Sequence, residues 1–149
     1  MAASAVFAFL HHISAFTLVA ALAIEFVLIR GELTLTSARL LQRADITFGV
    51  AAGVLLVVGL LRVFYFEKGA GYYFSSGTFI AKLSLFVILG LFSIVPTIEF
   101  LSWRKATAQG RAPAVAPAKL ASIRRIIHIE LAGVVVIVLC AALMARGIG

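Results

Sequence analysis

The chain has 149 residues, 63% hydrophobic and 13% charged, with a mean hydropathy of +1.14. Soluble domains are nearer half apolar and a quarter charged, and so short a chain in water could not hide this much apolar surface. The net charge of +7 lacks the aromatic–basic interleaving of a nucleic-acid surface, and a single cysteine, Cys140, rules out an internal disulfide.

Lipid is the solvent this composition fits. A span needs about 20 mostly apolar residues. The first such stretch runs from about Ala5 to Ile29. Residues Met1 to Leu10 carry no Lys or Arg, so there is no signal-peptide n-region and the stretch is expected to stay as a span. The polar connection Arg30–Asp45 follows, with Ser37 placed to cap a short helix leading into the second span, about Ile46 to Phe64. Gly49 and Gly53 form a small-xxx-small pair on that span and are expected to pack against a neighbouring helix.

Glu67–Gly77 is rich in glycine and serine and reads as a turn. The third span runs from about Thr78 to Leu101 and contains Pro96, which removes a backbone donor and predicts a kink. Arg104–Lys119 holds two prolines and reads as a flexible linker, with Pro117 suited to start the last helix. The fourth span runs from about Ile123 to Ala145 and carries Cys140, expected to be a buried structural thiol. The fold class is therefore all-α: one transmembrane domain over 1–149, an antiparallel four-helix bundle.

Basic residues give an orientation. Arg30, Arg39, Arg43, Arg104, Lys105, Arg111, Lys119, Arg124 and Arg125 flank one membrane face, while Arg62, Lys68 and Arg146 flank the other. Cytoplasmic loops carry the excess of Lys and Arg, so the expectation is a bacterial inner-membrane protein with both termini periplasmic. Trp103, Tyr65, Tyr72 and Tyr73 lie near the span ends, where interfacial aromatics belong.

Ionisable groups inside hydrocarbon are costly and ask for a partner or a purpose. They fall into two strata. The outer one holds His11, His12, Arg62, Glu67 and Lys82. Ser14, Ala15, Leu18 and Glu25 continue the His11 face, and His12 points about 100° away, so one imidazole of the two can face the bundle centre squarely. An imidazole in a helix bundle is a candidate haem ligand, and Arg62 and Lys82 suit propionates or another anion. The bland alternative pairs Lys82 with Glu67 and gives the histidine a neighbouring helix as hydrogen-bond partner.

The inner stratum holds Glu25, Asp45, Glu99, His128 and Glu130. Of these, Glu25, Glu99, His128 and Glu130 are candidate metal ligands or proton carriers. The stronger expectation is structural pairing with Arg43, Arg104, Arg124 and Arg125. No HExxH, paired ExxH or cysteine spacing supports a metal, and no enzymatic motif is present.

Leu10-His11-His12-Ile13, Arg62 through Gly69, Gly71-Tyr72-Tyr73, Phe79 through Leu83 and Arg124 through Leu131 together resemble the domain-of-unknown-function 2214 family (DUF2214) of small bacterial membrane proteins. The resemblance covers nearly the whole chain and implies four spans. Leu10-His11 and Lys82-Leu83 also resemble, more distantly, motifs of the copper-resistance-D-like and HemJ-type membrane proteins. That resemblance implies His11 as a haem ligand and Lys82 as a substrate or propionate contact. Those proteins tend to carry a further histidine near the end of the Lys-Leu helix, where this chain has Ser93.

Three functions are open from the sequence: a haem- or porphyrin-associated redox protein, a proton- or metal-coupled small transporter, and a non-catalytic subunit of a larger membrane complex. The bilayer is the one partner expected under all three. A homo-oligomer is compatible with each.

Overall fold

The computed structural model describes residues 2–148. All its regular structure is helical: α1 (Ala2–Leu28), α2 (Leu35–Leu61), a π-helical turn (Arg62–Phe66), α3 (Ala70–Phe74), α4 (Gly77–Ser102), α5 (Arg104–Ala108) and α6 (Pro117–Ala145). The shortest of the four long helices has 26 residues. Such a helix rises about 39 Å, against about 30 Å of hydrocarbon.

Local chemistry sets the boundaries. Thr34, not Ser37, is the N-cap of α2. Its hydroxyl accepts from the Ser37 amide at 3.1 Å, while Ser37 Oγ accepts from the Thr34 amide at 2.8 Å. This reciprocal capping box satisfies two of the orphan amides of the first turn. The short helix expected ahead of the second span is therefore continuous with it. Ser76 caps α4 by accepting from Phe79 N, and Pro117 opens α6. Helix α4 runs through Pro96 without interruption. The Gly/Ser-rich turn contains the single helical turn α3, entered at Gly69 with φ +88°. The linker 109–116 lies against the bundle, with Pro113 buried and Val115 packed on the core.

The four long helices form a ring in which α1 lies beside α2, α2 beside α4, α4 beside α6, and α6 beside α1. Contacts join the start of each helix to the end of its neighbour. His11 meets Gly59, Asp45 meets Thr97, Arg124 meets Ile29, and Thr78 at the start of α4 meets Ile148 just past the end of α6. The bundle is antiparallel throughout. A Cβ on Gly133 would lie 2.5 Å from Leu89 Cδ1, so glycine sets the approach of α6 to α4.

The core is lopsided. Its main cluster holds Leu18, Leu22, Leu41, Phe100, Trp103 and Ile127 with their neighbours, all toward the end of the bundle that carries Trp103. The other end, where both termini lie, has few buried residues. In the most apolar window of each long helix only 11–22% of residues are buried. The total surface is 8716 Å², whereas a soluble monomer of 15.9 kDa exposes about 7,400 Å². Four apolar helices with this much outward surface are built for lipid. Gly49 and Gly53 lie on the lipid side, with nothing within 4 Å of a Cβ at either, so they do not pack within the bundle as expected. Phe48 and Ala51 take the inward positions of that turn.

Candidate functional site

A half-open cavity of about 640 Å³ occupies the terminal end of the bundle. Pockets of about 300–1,000 Å³ suit small organic ligands. All four residues of the outer stratum singled out as cofactor-binding, His11, His12, Arg62 and Lys82, line it. Leu56, Leu60, Phe86 and Ile137 supply apolar wall, and Glu67, Lys68, Tyr72 and Tyr73 surround the mouth. The lining carries three cations and one carboxylate (Arg62, Lys68 and Lys82 against Glu67), so it favours an anion.

The π turn places Arg62. An i→i+5 bond from Glu67 N to Arg62 O, 2.9 Å long, closes the wide turn and turns the Glu67 carboxylate back onto the guanidinium. Glu67 Oε1 accepts from Arg62 NH2 at 2.6 Å. Arg62 Nε is buried and has no hydrogen-bond partner. Such π turns interrupt the ordinary helical phase and recur at functional sites.

The expected alternative partner for Lys82 does not form, because Glu67 is engaged with Arg62. Lys82 makes no ion pair among the described residues and lies 5.4 Å from the Phe79 ring. At the mouth, Lys68 Nζ donates to the Tyr72 hydroxyl at 3.2 Å. Burial, then the Glu67 charge, push the Tyr73 phenol above its ordinary value, which keeps it a neutral donor at physiological pH.

The two histidines differ. His12 is exposed, with Nδ1 2.6 Å from Ala8 O. His11 is half-buried, its Cε1 3.3 Å from the Cβ position of Gly59, so the absent side chain there makes room for the imidazole. His11 Nδ1 is buried without a partner, which leaves Nε2 as the nitrogen able to meet a ligand.

The inner stratum is arranged differently from the expectation. No group of three His, Cys, Asp or Glu side chains among the described residues is disposed to hold a metal ion. His128 is exposed and stacks on Phe26, with ring centroids 5.9 Å apart. Glu99 accepts from Trp103 Nε1 at 3.0 Å and pairs with Lys119 at 3.3 Å. Glu25 and Glu130 are 2% and 1% exposed, and Oε1 of each lacks a partner. Asp45, also buried, accepts from the Thr97 hydroxyl at 2.7 Å. The expected pairs with Arg43, Arg104, Arg124 and Arg125 do not form. Arg124 instead donates to the Ile29 carbonyl at 2.7 Å, and the other three are exposed. Cys140 is half-buried rather than buried.

Sequence reasoning missed the π turn, the fit of Gly59 to His11, and the part of Met144 and Phe86 in the cavity wall. The run Arg62-Val63-Phe64-Tyr65-Phe66 at a span end was the available signal for the turn.

Four lipid-facing helices around a half-open, cation-lined cavity define a multi-pass membrane protein with one well-formed candidate small-molecule site. The chain belongs to the family DUF2214, described as "Predicted membrane protein", whose model matches residues 3–149. No curated protein and no solved structure gives a significant match.

Proposed function

We propose that this protein binds an acidic, largely apolar small molecule in the cavity, with haem or a free porphyrin as its ligand and a redox role in the bacterial inner membrane. The observation that carries the reading is a half-buried imidazole with no hydrogen-bonded partner on Nδ1, in the same cavity as two cations, one of them without an acidic partner. The residues present fit the group. His11 Nε2 would hold the iron, Arg62 and Lys82 would hold the propionates, and Leu56, Leu60, Phe86 and Ile137 would cover the ring. Bound haem supplies one-electron chemistry. The protein supplies the apolar wall and the fixed cations.

The test is optical. Haemin added to the purified protein in lipid nanodiscs is expected to give a saturable Soret band and, on reduction, resolved α and β bands. Replacement His11→Ala is expected to abolish the reduced-state bands. A colourless protein that takes up no haemin, or a spectrum indifferent to His11→Ala, contradicts the proposal.

The buried carboxyls of Glu25, Asp45 and Glu130 favour a second reading, proton-coupled transport. A packed apolar layer containing Leu18, Leu22, Phe48 and Ala51 separates them from the cavity, so transport would require that layer to open. Proteoliposome flux that is unchanged by Glu25→Gln and Glu130→Gln would remove this reading.

A further inference from the structure

The cavity is walled unequally. At membrane depth, every lining residue contributed by α2 and α4 is buried or half-buried, among them Leu56, Leu83 and Phe86. The exposed lining residues at that depth lie on α1 and α6. Phe16 is 69% exposed and Val138 59% exposed, with Ala141 and Ala145 exposed beside Val138. The α1–α6 seam explains the asymmetry. It is closed toward Trp103, where Arg124 bonds Ile29 and His128 stacks on Phe26. Toward the termini no residue of α6 after Glu130 is buried among those described, and none of α1 before Ser14.

We infer that the α1–α6 seam is a lateral portal through which an acidic amphiphile dissolved in the bilayer reaches Arg62 and Lys82. This rests on reading the cavity as a site for an acidic ligand. Phe16 lies 14 residues into α1, about 21 Å along the helix and so well inside the hydrocarbon. The lips of the seam there (Phe16, Val138 and Ala141) are apolar or small, so hydrocarbon meets no polar barrier. Arg62, Glu67 and Lys68 lie on the terminal side of the cavity, nearer the end of the bundle than Phe16. A membrane amphiphile thus keeps its natural orientation as it slides sideways. Its acid group goes to Lys82 and to the accessible part of the Arg62 guanidinium, and its apolar body spans the seam.

A bimane label on Leu83→Cys, in a Cys140→Ser background and reconstituted in bilayers carrying nitroxide-labelled acyl chains, reports chain entry directly. Its quenching is expected to approach that of a label on Phe92→Cys, which faces lipid, and to fall several-fold when Ala141→Phe fills the seam. In parallel, haemin delivered from preloaded vesicles is expected to enter several-fold more slowly in Ala141→Phe. Quenching at Leu83 that stays far below Phe92, or that ignores Ala141→Phe in a protein with unchanged circular dichroism, overturns the portal. The two readings fail separately. Lipid quenching without haemin uptake keeps the portal and sinks the haem assignment, and haemin uptake with an unquenched Leu83 does the reverse.

Discussion

Lys82 and Arg62 hold their charges in the cavity by different means. Lys82 extends from α4 with no acid beside it, whereas Arg62 is held by Glu67 through one nitrogen and its Nε is buried without a partner. A charge-assisted hydrogen bond contributes about 1.5–3 kcal/mol, which is roughly a 10- to 100-fold effect on affinity. Replacement Lys82→Gln is expected to weaken haemin binding by about that factor, measured by optical titration, while leaving the fold intact. An unchanged dissociation constant would remove Lys82 from the site. These residues were legible in the sequence because helical periodicity and span depth together fix where a side chain points. His11, Arg62 and Lys82 share a depth, and the structure gathers them into one cavity. The pairing of the acids was not legible. Whether Glu130 meets Arg124 depends on which way the arginine leaves α6, and it leaves toward the Ile29 carbonyl.

The helices themselves rest on small local devices. The Thr34–Ser37 box organises the first turn of α2, and losing an N-cap costs about 1 kcal/mol. Thr34→Ala is expected to lower the thermal midpoint by a few degrees without touching ligand affinity, since the cap lies at the opposite end from the cavity. Gly133 is under greater constraint. A side chain there runs into Leu89, which is itself buried, so Gly133→Val is expected to destabilise the α4–α6 pair by about 1–3 kcal/mol, read as a lower unfolding midpoint in detergent. Midpoints equal to wild type would show that the Leu89 side chain gives way and that glycine is not required at this contact. The four long helices could be read from hydropathy alone, because lipid demands long apolar runs. The π turn and α3 could not. An i→i+5 bond between Arg62 and Glu67 competes with ordinary helix geometry on terms that only the surrounding cavity decides. Thr34 and Ser37 are both good caps, and their reciprocal bonding, not the type of either, sets the boundary.

As a whole, the molecule is a bundle packed at one end and open at the other. The packed end holds the apolar cluster around Leu22, Phe100 and Ile127, with Trp103 and Glu99 bonded at its rim. The open end holds the cavity, its three cations and the histidines. This division explains why one stratum of ionisable groups becomes a candidate site while the other stays enclosed. Periodicity along each helix cannot reveal it, because it arises from how far apart neighbouring helices lie. Thiol accessibility tests it most directly. In a Cys140→Ser background reconstituted in bilayers, Leu56→Cys on the cavity wall is expected to react readily with a small water-soluble methanethiosulfonate, while Leu22→Cys, fully buried in the packed half, is expected to stay protected in the folded protein. Protection at both positions, or equal labelling of both, would contradict the account.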